Sequence, residues 1–446
     1  MSLIGQFPWD PFPPGLPEPK GPDPIPSTAY RGAVTAADGY RTTRLALRVE
    51  GDTLRIGNRF VPIGRYRQVS FLALGNAANS QTLAVLHTFR DRLTQGLIVG
   101  PIEPEAELPF RSVRLTPGWP NRSEAEDVVR AAEEMGAELS EEDLFLLLLS
   151  PGALLGLTVP PACVGADAWG DFLASAAEHG ASGRELALLV RLLGTGGVGG
   201  RLAAIPSRAE IVPFVIDRGD GPALLGGGPV YPISREERIE GRAILERLGL
   251  SAALPPPALA SLSPDSSQPV GVPRNVRRPL LVTSPSDAVG GAGDALFDRK
   301  WATRLGSLSL PGPPEAAADQ FIRRVEEVLH RERLDPEAHW KGIAVLAAST
   351  LGGLEGGDEG PLLGRFLTRA QSEIRRRELS IGLMRTAGGI GDPAFPPGAV
   401  VGAPTREDLP VNPGHARALR MEPGVTDVGY VVIAALPQSA GRSSRP

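Results

Sequence analysis

Short apolar runs alternating with amphipathic helical stretches predict an α/β protein: two α/β/α domains with mostly parallel sheets and a cleft between them. Three observations carry that reading. Val69–Leu74, a helical pattern and Gly96–Val99 form a strand–helix–strand unit, whose right-handed crossover implies parallel strands. Leu144–Leu149 (LFLLLL) is apolar at every position, as a strand covered on both faces must be. Residues 254–278 are rich in Pro and Ser, lack periodicity, and separate two such alternating halves.

Taken in order, residues 8–26 hold nine prolines, which fix φ and remove N–H donors. A disordered arm is expected over 1–28, with a PxxP ligand for a partner domain as the alternative reading. Leu45–Val49 and Thr53–Ile56 flank Gly51-Asp52 and read as a hairpin. A helix is expected from about Ala77 to Leu93, and another from Ser123 to Gly136. After Leu144–Leu149 come helices at Trp169–His179 and Gly183–Leu193. Ile211–Ile216 reads as a strand, with Pro213 demoting it toward an edge or a bulge. Ser234–Leu248 has the pattern of a capped amphipathic helix. Beyond the linker, Leu280–Thr283 and Gly342–Ala348 read as strands, and Ala316–Arg333 as a helix with Phe321, Val325, Val328 and Leu329 on one face. A helix over about Leu362–Glu378 and a strand at Val428–Ala434 complete the pattern. The expected division is an N-terminal Rossmann-like domain over 29–254, a linker over 255–278, a C-terminal domain over 279–437 and a disordered tail over 438–446.

Composition removes several classes of function. A net charge of −5 is opposite in sign to a nucleic-acid footprint. One cysteine excludes an internal disulfide framework and a thiolate metal cluster. No apolar run approaches the roughly 18 residues of a membrane span, and the start MSLIGQFPWDPFPP has no signal-peptide pattern. The expected location is the cytoplasm, with a small molecule or a protein as partner, no nucleic acid and no membrane.

Open α/β sheets bind ligands at the carboxyl ends of their strands. The loops in question are Gly75–Asn79, Ser150–Gly156, Asp217–Pro222, Ser349–Gly360 and Thr386–Gly398. Their glycines suit backbone lining a pocket, and equally suit any α/β turn. Gly194–Gly199 spells G-x-G-x-x-G, but a helical segment precedes it where a dinucleotide site needs a strand. No Walker-type P-loop occurs. The five histidines lack metal-ligand spacing. Cys163, in a Pro-Pro-Ala-Cys-Val turn, is expected to be a buried thiol without a base. Glu355, Asp358 and Glu359 read as a solvated charge run, with Mg²⁺ binding as the alternative.

The order of these segments, from about Ala33 to Ala435, resembles the glycerate 2-kinase family whose C-terminal half is the MOFRL domain. Val212–Pro256 is similar to a family strand, its Ser-Asp-x-x-Gly-Asp-Pro turn, its Ser-Gly-Pro-Thr segment and the helix that follows. Leu144–Pro161 resembles the hydrophobic strand, serine-glycine loop and proline pair, and Gly388–Ala399 the Gly-Thr-Asp-Gly-x-Asp-Gly-Pro loop. The resemblance implies two α/β domains and, in the cleft between them, ATP and Mg²⁺ phosphorylating the 2-hydroxyl of D-glycerate. It assigns the cleft to loops at Gly75, Asn76, Ser150, Gly152, Gly199, Gly228, Ser284, Gly389 and Asp392.

The charged residues of the family motifs are replaced. Gly75-Asn76-Ala77 stands for Gly-Lys-Ala, and Ser150-Pro151-Gly152-Ala153-Leu154-Leu155 for Ser-Gly-Gly-x-Ser-Ala. Arg191 is kept, while Val198 stands for a lysine. Thr283-Ser284-Pro285 replaces Gly-Ser-Asn, and Trp119 stands where the family tends to carry histidine. Gly388 and Gly391 occupy the places of two aspartates, with Asp392 one position off. The expected function is therefore a family member that is catalytically inactive or severely impaired and acts by binding or interaction, with no cofactor assigned. The alternatives are an active kinase using Arg191, Asp217, Asp220, Arg365 and Arg369 with ATP and Mg²⁺, and a structural subunit of a complex.

Overall fold

A strand apolar at every position has to be covered on both faces, and that requirement organises the first half of the molecule. The computed structural model describes residues 25–75, 77–100, 110–114, 122–154, 158–181, 183–196, 208–217, 224, 230–264, 274–307, 314–331, 340, 342–349, 380–385, 399–402, 417–418 and 430–437. Helices α1 (Ile25–Ala37) and α2 (Gly39–Ala46) lead into an antiparallel meander of β1 (Leu47–Glu50), β2 (Thr53–Ile56) and β3 (Arg59–Pro62). Then follow β4 (Val69–Leu74), α3 (Ala78–Phe89), β5 (Leu93–Gly100), β6 (Arg111–Arg114), α4 (Arg122–Ala137) and β7 (Leu144–Leu149). A short ribbon of β8 (Thr158–Val159) and β9 (Thr195–Gly196) brackets α5 (Ala166–Glu178) and α6 (Gly183–Leu193). Next are β10 (Glu210–Ile216), α7 (Arg235–Leu248), α8 (Pro256–Ala260) and β11 (Leu280–Thr283).

The first large sheet runs β11-β10-β7-β4-β5-β6, every pair parallel. Alternate residues of its strands feed two cores. Leu72, Leu74, Phe145, Leu147, Leu149, Ile211 and Val215 pack with Val128, Trp169, Leu173, Leu189 and Leu245 of the helices on one face. Phe71, Ala73, Leu144, Leu146, Leu148, Val212 and Phe214 pack with Val85 and Phe89 of α3 and with Leu47, Leu54 and Ile56 on the other. Every β7 side chain is fully buried, each contributing about 2 kcal/mol over exposure. Pro213 lies second from the sheet edge, not on it, and pairs in register with Leu147. Ile211, of the same parity, turns its N–H to Asn275 and its carbonyl to Arg277 (2.9 and 2.8 Å), so the missing Pro213 N–H faces away from β7 and costs no bond there.

The second half adds α9 (Pro285–Asp298), β12 (Trp301–Ser307), α10 (Pro314–Arg331), β13 (Gly342–Ser349), β14 (Ser380–Arg385), β15 (Ala399–Gly402), β16 (Arg417–Ala418) and β17 (Tyr430–Pro437). Its sheet runs β12-β13-β17-β14-β15-β16. The expectation of a mostly parallel sheet is corrected here: β12 and β13 are parallel, and the other four pairings are antiparallel. Phe321, Val325 and Val328 of α10 are buried as the helical pattern predicts.

Three further expectations change. The arm expected over 1–28 yields to helix at Ile25, since Pro26 in the first turn lacks an N–H that has no intrahelical acceptor anyway. Residues 1–24 and 438–446 lie outside the described residues, as does the expected helix at Leu362–Glu378. The 255–278 stretch is structured at both ends: α8 has prolines in its first turn, Ala258 and Leu262 are buried, and Val276 bridges to Ile211. Leu280–Thr283, expected to open the second domain, is the sixth strand of the first sheet, because its parallel pairing with β10 completes that edge.

Candidate functional site

The carboxyl ends of β4, β7, β10 and β11 meet at one edge of the first sheet, and backbone geometry there fixes which residues are admissible. Gly75 ends β4 with φ +100°, and its N–H reaches the Val99 carbonyl of β5 at 2.9 Å. A Cβ on Gly75 would lie 2.5 Å from the carbonyls of Ser150 and Pro151 and from Ser150 Oγ, so only glycine fits. Ser150 is fully buried; its hydroxyl donates to the Leu74 carbonyl and accepts from the Ala77 N–H, both at 3.0 Å. Its own N–H also reaches the Leu74 carbonyl at 3.0 Å. The serine thus clamps the β4–α3 turn to the end of β7. Gly152, with φ +91°, turns the chain away from that clamp.

On the next strands, Asp217 is buried at the end of β10 and its N–H meets the Thr283 carbonyl at 2.9 Å. Ser284 caps α9: its N–H and hydroxyl both donate to Asp287 Oδ2 at 2.8 Å. Gly75, Ser150, Gly152, Asp217 and Ser284 therefore occupy one edge, as the strand-end rule anticipates.

Arg191 has a different setting. It is buried on α6, where Nε donates to Glu237 Oε1 at 2.9 Å. Its Nη2 reaches the Tyr231 and Pro232 carbonyls at 3.1 Å and Glu237 Oε2 at 3.3 Å. Glu237 also accepts the Ser234 N–H at 2.7 Å, so one guanidinium ties the 231–234 segment to α6 and to the start of α7. Asn76, Trp119, Gly199, Asp220, Gly228, Arg365, Arg369, Gly389 and Asp392 lie outside the described residues, as do Glu355, Asp358 and Glu359. Cys163 is exposed, where a buried thiol was expected, because the turn after Pro160 and Pro161 carries it out of the core.

One residue at this edge escaped the sequence reading. Asp38 caps α2, accepting the Arg41 N–H at 2.6 Å, and is buried. Burial raises its carboxyl to about 6 against the N–H bonds and the Arg41 charge that pull it down. Gly39, beside it, would place a Cβ 2.8 Å from Ser80 Oγ of α3 and 3.2 Å from Ile216 Cδ1, which sets the start of α2 against the start of α3 and the end of β10. The Asp38-Gly39 pair before Thr42 and Thr43 is a helix-start signal, but a cap motif does not announce burial.

In chemical terms, the edge offers helix starts, tight glycine turns and buried carboxyls, and the Ser150 hydroxyl is engaged on both sides. Among the described residues, no group of three or more His, Cys, Asp or Glu side chains gathers as a metal site, and no helix is long and apolar enough to cross a membrane.

Residues 27–263 match the model of a domain of unknown function, DUF4147. No curated protein matches the chain by sequence. Among solved structures, the PH0495 protein of Pyrococcus horikoshii is similar at a TM-score of 0.65 and 19% identity, covering 93% of this chain and 98% of that one. A glycerate kinase of Thermotoga maritima is similar at a TM-score of 0.64 and 17% identity, covering 93% and 99%. More than half of the chain matches the family and nearly all of it the fold: the chain belongs to the DUF4147 family.

Proposed function

We propose that this chain is a cytoplasmic glycerate kinase-like protein that binds a small glycerate-like molecule or a protein partner and has lost ATP-dependent phosphoryl transfer. The observation that carries the reading is the placement of lysine. The chain has three, Lys20, Lys300 and Lys341, so the whole stretch from α1 to β11 supplies none. Phosphoryl transfer is chiefly positioning and neutralisation of phosphate charge by lysine, arginine and metal-holding carboxylates. At the strand ends the chain has Gly75-Asn76-Ala77 and Ser150-Pro151-Gly152, and the one hydroxyl among the described residues of these turns is held by backbone groups. The described residues of these turns supply no cation to a magnesium triphosphate, which supports the reading. Each lost charged contact is worth about 1.5–3 kcal/mol, so two together remove several orders of magnitude in rate.

The test is direct. Purified protein with ATP, Mg²⁺ and D-glycerate should form no phosphoglycerate, while calorimetry with glycerate alone should register binding. Turnover at an ordinary kinase rate, about 1–100 per second, would overturn the proposal. The second reading, an active kinase drawing on Arg191, Asp217, Asp220, Arg365 and Arg369, is favoured by Asp217 standing buried at the end of β10. Under that reading Asp217→Asn would abolish a Mg²⁺-dependent nucleotide titration that the unaltered protein gives.

A further inference from the structure

We infer that the two halves of the molecule turn against each other about a two-stranded hinge made of residues 37–39 and 283–285, at the edge of the candidate site. The inference stands apart from the proposed function, because it concerns how the lobes move and is read as a distance. α1 precedes the first sheet in sequence, yet it packs on α9 and on β14, β15 and β17 of the second sheet. That contact is close to backbone on backbone. A Cβ at Gly32 would lie 2.1 Å from the Gly291 carbonyl oxygen and 2.7 Å from Ala295 Cβ. A Cβ at Gly291 would lie 2.3 Å from Ala36 Cβ and 2.4 Å from the Gly32 carbonyl oxygen. Small residues on both helices permit this approach, and any larger side chain would separate them.

The pairing of Gly32 with Gly291 and Ala295, and of Ala36 with Gly291, makes the two helices antiparallel. The end of α1 therefore lies beside the start of α9. The chain leaves the second lobe at Ala37, enters α2 of the first lobe, and returns through Thr283 into α9. The lobes are joined twice, side by side.

Each crossing has the construction of a pivot. At the first, Asp38 (φ −58°, ψ 121°) is the one non-helical residue between α1 and α2. Its carbonyl accepts the Thr42 N–H at 2.9 Å and the Thr42 hydroxyl at 2.8 Å, while its carboxyl caps Arg41. At the second, Ser284 (φ −146°, ψ 170°) is the one extended residue between β11 and Pro285, the first residue of α9. Rigid elements abut both: Gly39 sits against Ile216, and the Asp217 N–H holds the Thr283 carbonyl. Rotation about φ and ψ at Asp38 and Ser284 swings one lobe on the other and leaves both sheets unbroken, which is how a hinge of a few element-terminal residues works. Because both pivots lie at the ends of β10 and β11, their motion opens or narrows the space over the strand-end loops.

The test uses the full chain and its exposed natural cysteine, Cys163 in the first lobe. A second cysteine at Arg324→Cys, an exposed position on α10, gives an inter-lobe pair; Arg242→Cys, exposed on α7, gives a pair within the first lobe. Nitroxide labels and pulsed electron paramagnetic resonance then report two distance distributions. In the unaltered hinge the inter-lobe distribution should be wider than the within-lobe one. Asp38→Ala with Ser284→Ala should widen the inter-lobe distribution further and leave the within-lobe distribution unmoved, whereas Asp38→Asn with Ser284→Thr should restore the original width. Equal widths in the unaltered chain overturn the hinge, and that measurement decides alone if the double alanine variant does not fold. Equal broadening of both pairs by that variant also overturns it, since it would report general loosening.

Discussion

At the start of β10, Glu210 is buried among Arg59 Nη1 at 2.6 Å, Arg277 Nε at 2.8 Å, Arg65 Nη2 at 3.4 Å and the Tyr66 hydroxyl at 2.9 Å; at the end of the same strand, Asp217 meets a backbone carbonyl through its own N–H. Burial alone would raise the Glu210 carboxyl, but the bonds from Arg277, Arg59 and Tyr66 outweigh it and hold the group at about 2. One strand over, Asp143 at the start of β7 takes both Arg67 Nε and Nη2, the Ser140 N–H and the Ser140 hydroxyl, and its carboxyl too is held down. The opposite pole is made of Gly75, Ser150 and Gly152, with bonds to backbone and positive φ at both glycines. Arg59, Arg65 and Arg277 fasten the meander, the turn after it and the 275–277 segment to the sheet through Glu210. A phosphate-transferring site would place such charge at the other pole.

The sharpest way to break this comparison is to disturb the glycine turn. Gly75→Ala forces a side chain into the 2.5 Å approach of three oxygens at φ +100°, and unfolding in urea should show a loss of about 3 kcal/mol. A loss under about 1 kcal/mol would mean the turn can rearrange, and the strand-end pole would then be adaptable and not fixed.

At the charged pole, Glu210→Gln should cost about 2 kcal/mol at pH 7, less than for a wholly buried pair because its three arginines are partly exposed. The sign with pH follows from a folded carboxyl near 2 against an ordinary 4.5. The carboxylate's contribution is complete above pH 4.5 and is lost as pH falls through 2, so the gap between variant and parent should close over that window. Ser150→Ala, which strands the Ala77 N–H, should cost about 1–2 kcal/mol by the same measurement.

What the sequence disclosed and what it hid divide along a physical line. Leu144–Leu149 and Gly183–Leu193 are read to the residue, because strongly apolar or strongly amphipathic runs bury themselves wherever they lie. α9 and β12 went unread: PSDAVGGAGDALFD carries glycines and alanines that suit a close helix–helix contact and give no apolar stripe. The antiparallel second sheet was hidden for a related reason, since residues 350–379 and 403–416 between its strands give no short-turn signal. The site was legible as loops, through the strand-end rule and glycine spacing. The Glu210 cluster joins residues up to 151 positions apart, and no local pattern could announce it.

A further expected effect bears on Asp38, a buried carboxyl at the strand-end pole. With burial holding it at about 6 against an ordinary 3.8, the unfolded chain ionises first as pH rises. Stability is therefore lost between pH 3.8 and 6 and is level above, the reverse of the Glu210 sign. Asn keeps the cap acceptor and removes the charge. Asp38→Asn should then lie close to the parent at pH 4 and exceed it by about 2–3 kcal/mol at pH 7, read as a rise of several degrees in Tm. If the variant is more stable at pH 7 and still binds glycerate, the charge is an incidental cost of a buried cap. If it gains stability and loses that binding, the ionised carboxyl is kept because the site uses it, and the strand-end pole then carries functional charge as the Glu210 pole carries structural charge.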